Sequence, residues 1–520
     1  MKPKIHLNQI GYICELPKTA AIIGTASTFT VHDERSGAVV FEGTLEKPKV
    51  DIASGDAVST ADFSSLRRSG KYYIKVGSTK SYTFKIAENP YEELENALMR
   101  GIYYARCGTS LQPQFAGRFK RKKCHIEPTP LYSDPSVIID TAGGWHDSGD
   151  YGKYVVPTAV ILGHLLYAFE LFPSTFDKAL NIPESGNKFP DILNQAKWGL
   201  DWLLKMQAKD GGVYHKVSAV DYADNVMPSD DKEKYYVFDK SSSATMFFTA
   251  ATALASRIFK RFDIDYATTL KIAAINAWAW TMNNKDIRPF ANPANVVTAE
   301  YSDENLNDEN FWAVAEMYRL TGEQAINKRL CEIFDRVDTT SFTCKCCSGF
   351  GAISYICGSQ EKDEILLDAL QTAFIYRADT LVSMSRHSEY GTAKEGNRYT
   401  YGSNLDILNH AMTLIIANEI SKKDEYLATI LEEINYILGK NPMGISYITG
   451  YGENSCMHPQ HRPSTADKVD DPIPGYVVSG PDMNRGDEYS RWLIKKGTPP
   501  TKCYIDVEYS YSTNSVALQF

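Results

Sequence analysis

The run Trp145-His146-Asp147-Ser148-Gly149-Asp150-Tyr151 sets two carboxylates three residues apart, with a glycine between them, just ahead of an apolar helical stretch. Two carboxylates aimed at one point suit the activation of water: one takes the proton as base while the other orients the molecule. The same residues also read as a helix N-cap through Asp150, or as a calcium loop. Spacing alone leaves all three readings open.

Three further groups carry donor atoms. Cys107, Cys124, His125 and His146 are two thiols and two imidazoles, the mixture that tetrahedral zinc prefers. Their spacing is not that of a zinc finger, so buried thiols and core histidines are the plain alternative. A zinc here would be closed to substrate and would pin the Asp147 loop to the helix that ends near Cys107. The stretch from Glu300 through Asp303, Glu304, Asn305, Asp308 and Glu309 crowds oxygen donors ahead of a helix, as hard cations require. An acidic helix start favoured by the macrodipole reads the same way. Cys344, Cys346 and Cys347 come with no matching histidine or CxxC spacing and read as free thiols.

These residues need a scaffold. Residues 1–88 hold short runs of alternating polarity, such as TAAIIG, TFTVHD and GKYYIKVG, between Gly, Ser, Asp and Lys turns. That pattern predicts a small all-β, immunoglobulin-like sandwich. Over residues 92–520 the period lengthens to that of amphipathic helices, as in PDILNQAKWGLDWLLKMQ and ILNHAMTLIIANEI. Long Gly-, Pro-, Asp- and Tyr-rich loops separate the helices, and loops of that length on a helical scaffold carry function. No fixed-period repeat is visible, which favours a helical barrel over a solenoid.

The chain has 520 residues and a net charge of −9. With no basic stripe, that balance argues against a nucleic-acid partner. No run of apolar residues is long enough to span a membrane. Neither a secretory h-region nor a cleavage site is visible, so a soluble, cytoplasmic protein is the expectation. The 10 cysteines are then expected as thiols or metal ligands rather than disulfides. Tyrosine, at 32, exceeds what a core needs, and an aromatic-rich surface would use the excess.

Taken together, the sequence resembles glycoside hydrolase family 9, the inverting cellulases, over nearly its whole length. LNQIGYICELPKTAAI resembles the opening of the immunoglobulin-like module that precedes many such barrels. GGWHDSGDYGKY resembles the family's catalytic-aspartate loop, and YGSNLDILNHA and LGKNPMGISYITGYGENS resemble later barrel segments. The resemblance implies an (α/α)6 barrel acting on cello-oligosaccharides or β-glucan. It implies Asp150 as general base, Asp147 as its partner in holding water, and a structural zinc on Cys107, Cys124, His125 and His146. A calcium loop around Asp303, Glu304, Asp308 and Glu309 is implied too. His215, Tyr401, His461 and Arg462 match substrate-contact positions.

Two departures from the family pattern follow. PHHRPS becomes Pro459-Gln460-His461-Arg462-Pro463-Ser464, so Gln460 replaces a histidine. The family's SYSTNE, whose glutamate is the general acid, becomes Ser510-Tyr511-Ser512-Thr513-Asn514-Ser515. Ser515 then stands at the acid position, and Glu508 could take the role only in another alignment. A serine cannot protonate a leaving alkoxide near neutral pH. The expectation is a β-1,4-glucanase that binds glucan better than it cuts it. Its alternatives are an exo-acting β-glucosidase or glucosaminidase, and a non-catalytic glucan-binding protein.

Overall fold

Ten short strands form the N-terminal region: β1 Lys4–His6, β2 Gly11–Ile13, β3 Thr19–Ile23, β4 Thr28–Asp33, β5 Val39–Thr44, β6 Lys49–Val50, β7 Ala57–Asp62, β8 Gly70–Val76, β9 Thr79–Lys80 and β10 Phe84–Ala87. A computed structural model describes residues 2–520 apart from Ser148, 285–288, 395–397, Ala517 and 519–520. One sheet runs β1-β3-β7-β6; the other runs β2-β10-β8-β4-β5, with β9 on β8. The alternation in GKYYIKV has a direct result: Tyr72, Ile74 and Val76 face inward, and they pack with Tyr12, Phe63 and Phe84 between the sheets. All pairings are antiparallel except β2 with β10. There Gly11, at φ 151°, lies so close to the Lys85 carbonyl that any Cβ would collide with it.

The LNQIGYICELPKTA run is a docking motif. Asn8 bonds Asn435 across the junction at 2.9 Å, and Thr19 donates to Glu432 at 2.7 Å. Lys18 is fully buried and donates to the carbonyls of Cys14 (2.7 Å) and Leu16 (2.8 Å).

From residue 92 onward there are eleven helices of ten or more residues among the described residues: α1 Glu92–Tyr104, α2 Val155–Leu171, α3 Asp191–Lys205, α4 Ser242–Phe259, α5 Ile264–Asn283, α6 Asn307–Thr321, α7 Gln324–Ile333, α8 Ser348–Cys357, α9 Glu364–Arg386, α10 Ser403–Ile420 and α11 Asp424–Ile437. Two kinds of sequence produce two rings. In α4 all but one residue is buried, so no polar face exists and the helix sits inside. In α9 the buried residues are Leu366, Leu370, Phe374, Ala378, Leu381, Val382 and Ser385, one stripe at helical spacing, and the rest faces water. The inner helices α2, α4, α6 and α8 pack on one another in that order, with outer helices α3, α5 and α7 returning between them. This alternation is the (α/α)6 arrangement. A buried ionic tie joins the inner ring: Arg257 of α4 contacts Glu170 of α2 and Glu316 of α6, each at 2.8 Å. Removing one partner of such a tie strands a buried charge, at a cost of about 3–5 kcal/mol.

The N-terminal ends of the inner helices all point to one face. The segments that precede them carry Asp147 and Asp150 (before α2), His215 and Ser241 (before α4), Glu300 and Tyr301 (before α6), Cys344 (before α8) and Tyr401 (before α10).

Candidate active site and metal centre

The 141–154 loop is fixed at both ends. Cys107 N–H donates to Gly144 O (2.8 Å) and His146 N–H to Ala105 O (2.9 Å), which ties the loop to the end of α1. Lys153–Tyr154 then enters a three-stranded sheet with Lys216–Ala219 and Tyr235–Val237.

Cys107, Cys124, His125 and His146 meet at this corner, one ligand atom from each lying within 4.8 Å of the others. Zn–N bonds of about 2.0–2.1 Å and Zn–S bonds of about 2.3 Å give tetrahedral edges of about 3.3 Å between nitrogens and about 3.6 Å from nitrogen to sulfur. The His125 Nδ1 to His146 Nε2 distance is 3.2 Å, and Cys124 Sγ to His146 Nε2 is 3.7 Å. The donor set therefore fits zinc in chemistry and in size. The other ring nitrogen of His125 contacts Asp231 Oδ2 at 3.1 Å, and that carboxylate also accepts from Tyr235 at 2.7 Å. Such an outer carboxylate fixes the tautomer of a metal-bound imidazole. Asp231 was not foreseen from the sequence: it lies 106 residues from His125 and carries no spacing signal.

Next to the metal corner, the two loop carboxylates are held by tyrosines. Tyr301 donates to Asp147 Oδ2 at 2.7 Å. Tyr154 makes a long 3.5 Å contact with Asp150 Oδ2, and Gly152 N–H donates to the other oxygen of Asp150. The two tyrosine rings meet edge to face at 4.9 Å, which links the supports. Tyr301 has φ 46°, a strained backbone for an aromatic residue. Burial raises the Asp150 pKa above the usual aspartate value; the Gly152 N–H and the charges of Arg462 and Lys216 pull it back. Lys216 is itself lowered to about 8 by burial, against the pull of Asp150 and Glu300. The signals for Tyr154 and Lys216 were weak: a tyrosine in DYGKY, and a lysine beside His215.

Of the residues expected to contact substrate, three lie at this face. Arg462 donates from Nε to Ala223 O at 2.7 Å and places its charge near Asp150. Gln460 packs over Gly149, where any Cβ would collide with its amide. Tyr401 is 51% exposed and its hydroxyl lies beside Ser515. Two of the expected contacts are corrected. His215 is buried, stacked on Phe290 at 3.9 Å, with Nδ1 bonded to Ser241 (2.7 Å) and Nε2 to Glu300 O (2.6 Å). His461 is also buried, with Nδ1 on Ser464 at 2.8 Å and its ring against Tyr476. Burial lowers each to about 3, so both are neutral histidines that brace the wall behind the site.

Ser515 adjoins the same face. It forms a parallel bridge with Gln460, and its carbonyl accepts from Ser479 N–H at 2.8 Å. Asn514 beside it is fully buried and takes part in bonds with Tyr504, Asp506 and His458. Glu508 lies in the preceding turn against Tyr509, itself 61% exposed.

The acidic loop separates into parts. Glu309 is buried, and neither carboxylate oxygen has a hydrogen-bond donor. Burial raises its pKa well above the usual range, and Asp308 and Asp303 add to the rise. Asp308 Oδ2 accepts from Cys347 N–H at 2.8 Å, at the start of α8. Asp303 and Asp308 beside the buried Glu309 are the oxygen donors of this loop, while among the described residues only Cys107, Cys124, His125 and His146 bring their ligand atoms within 4.8 Å of one another. Glu304 is exposed and stands outside this group, because it projects from the solvent side of the turn.

With this geometry in place, the comparisons are unambiguous about class. The model of Glycosyl hydrolase family 9 matches residues 91–520, and that of the Cellulase N-terminal ig-like domain matches residues 1–81. The chain belongs to glycosyl hydrolase family 9. A cellodextrinase of Butyrivibrio fibrisolvens is 35% identical over 99% of this chain and 97% of its own length. Among solved structures, AaCel9A in complex with cellobiose-like isofagomine superposes with a TM-score of 0.94 at 30% identity, covering 99% of this chain and 97% of that one. A Zn-binding triple mutant of the family 9 endoglucanase J30 gives 0.92 at 30% identity, covering 98% and 97%.

Proposed function

We propose that this glycoside hydrolase acts on β-1,4-glucosidic bonds of cello-oligosaccharides or β-glucan by inversion, with Asp150 as general base and Asp147 as its partner. The observation that carries the reading is the tyrosine-supported pair Asp147 and Asp150, placed beside a preformed Cys2His2 corner. The relatives include a cellodextrinase and endoglucanases, and AaCel9A has been seen in complex with a cellobiose-like isofagomine, which supports a glucan substrate.

In this mechanism water approaches the anomeric carbon from the Asp147 side. Asp150, ionised, accepts one water proton as the C–O bond forms, and Asp147 holds the other. The glycosidic bond breaks on the opposite face, where the leaving oxygen needs a proton. Inverting enzymes set the acid about 6.5–9.5 Å from the base to leave room for water. Ser515 occupies the acid position in the alignment with SYSTN, and its hydroxyl holds its proton far too tightly to serve. Substrates with acidic leaving groups, such as glycosyl fluorides, escape that requirement.

The four-ligand corner is read as structural zinc on Cys107, Cys124, His125 and His146, and Asp303, Asp308 and Glu309 as a calcium site. Neither metal takes part in a chemical step. Ser515 favours a second reading, a non-catalytic glucan-binding protein. Product analysis on cellohexaose, run in parallel with Ser515→Glu, separates the two. Products of inverted anomeric configuration that increase in the variant support the hydrolase; binding without products in either protein supports the binding reading.

A further inference from the structure

A polar cavity of about 380 Å³ opens between the 338–343 segment, the C-terminal half of α9 and the first turns of α10. Pockets of about 300–1,000 Å³ hold small ligands. It lies one residue removed from groups that face the carboxylate loop: Thr343 and Thr400 line it, while Cys344 and Tyr401, next in sequence, lie in the field of Asp147.

Its lining is hydroxyl-rich and carries the cations Arg377, Lys394 and Arg398 against the carboxylates Asp338 and Asp406. Lys394 is paired with Asp406. Asp338 uses one oxygen on the N–H (3.0 Å) and hydroxyl (2.7 Å) of Thr340. Arg377 has no ion-pair or hydrogen-bond partner among the described residues, so its charge is left to the cavity. His410 Nδ1 has no hydrogen-bond partner among the described residues and lies 4.0 Å from the buried Glu433 carboxylate; burial, with Arg377 and Lys394 nearby, holds the ring neutral, its pKa lowered to about 3. Among the described residues no Phe, Tyr or Trp lines the cavity, so it lacks the platform on which a neutral sugar stacks. What it offers instead is a guanidinium fork, the group that recognises carboxylate and phosphate in two-point contact.

We propose that this cavity is a subsite for the anionic group, carboxylate or phosphate, of a charged saccharide bound along the catalytic face. The assignment deepens the hydrolase reading and rests on it: the preferred chain would be a β-glucan or oligosaccharide that carries an acidic sugar, with Arg377 as the specificity residue.

The test is a set of equilibrium titrations of the full chain at low salt with glucuronate, glucose 6-phosphate and neutral glucose, and separately with cellotetraose. At least one anion should bind about fivefold or more tighter than glucose, and Arg377→Gln should abolish that preference while leaving cellotetraose affinity unchanged. Preference for glucuronate would assign a uronate; preference for the phosphate would assign a sugar phosphate. Anions that bind no tighter than glucose, or a preference that survives in R377Q, would overturn the proposal. Should R377Q fail to fold, the unmodified chain titrated at rising ionic strength reads the same point: the preference must fall with salt, and a salt-independent one contradicts it. Loss of cellotetraose binding alone, with the anion preference intact, would sink the glucan reading and leave the pocket standing.

Discussion

The wall that carries Asp147 and Asp150 and the wall that carries Ser515 are built with equal care. On the first, two tyrosines grip the carboxylates, and Asp231 supports a Cys2His2 corner one residue away from Asp147. On the second, Ser515 sits in a backbone bridge to Gln460, next to a fully buried Asn514 bonded on several sides. On the proposed assignment the difference is a single carboxyl group, absent at Ser515, and each half of the site can be tested alone.

The largest effect belongs to the base. Asp150→Ala should lower glycosyl fluoride turnover by roughly 10²–10⁴-fold, as expected when a positioned base is lost. Fluoride turnover in this variant equal to that of the unmodified chain would remove Asp150 from its role. Next comes the metal corner. Asp231→Asn should weaken zinc binding by about 10–100-fold in competition with a chelator, because His125 loses the group that fixes its tautomer. Stripping the metal should also lower the melting temperature, whereas unchanged metal content and melting after chelation would speak against a zinc site.

A smaller effect sharpens the role of the tyrosines. A hydrogen bond to a charged group contributes about 1.5–3 kcal/mol, so Tyr301→Phe should slow fluoride turnover by at least about tenfold with little change in cellotetraose binding. The smallest effect is on pH. Asp150 works only when ionised, and burial raises its pKa, so turnover should fall with acid at a pH above the ordinary aspartate range. Lys216 pulls that pKa down, so Lys216→Met should move the acid limb to higher pH. A limb that stays put, or moves the other way, would mean that another group titrates.

The features legible in the sequence were those with local pattern or unusual chemistry. The carboxylate pair lies within one short loop, whereas the two cysteines and two histidines, at irregular spacing, pointed to zinc only through the family resemblance. The helical period of residues 92–520 was legible, but the division into two rings was not, because the buried α4 carries Ser, Thr and Arg257 along its length. Tyr301 and Asp231 escaped because they act across 154 and 106 residues, and no local pattern marks such partners. His215 and His461 misled for the opposite reason. A histidine near a catalytic motif invites a functional reading, yet a neutral imidazole with both faces packed is also a good wall residue. Glu304 misled because an acidic run looks uniform in sequence, while the turn buries Glu309 and leaves Glu304 in water.

The central claim is that the base half is intact and the acid position lacks a carboxyl. Its most direct test compares, for the unmodified chain, the hydrolysis rates of a cellobiosyl fluoride and of cellotetraose. The proposed mechanism predicts measurable turnover of the fluoride, cellotetraose cleavage slowed by roughly 10²–10⁴-fold, and its recovery in Ser515→Glu. Cleavage of cellotetraose at an ordinary enzymatic rate, stopped by Glu508→Ala, would contradict it and make Glu508 the acid.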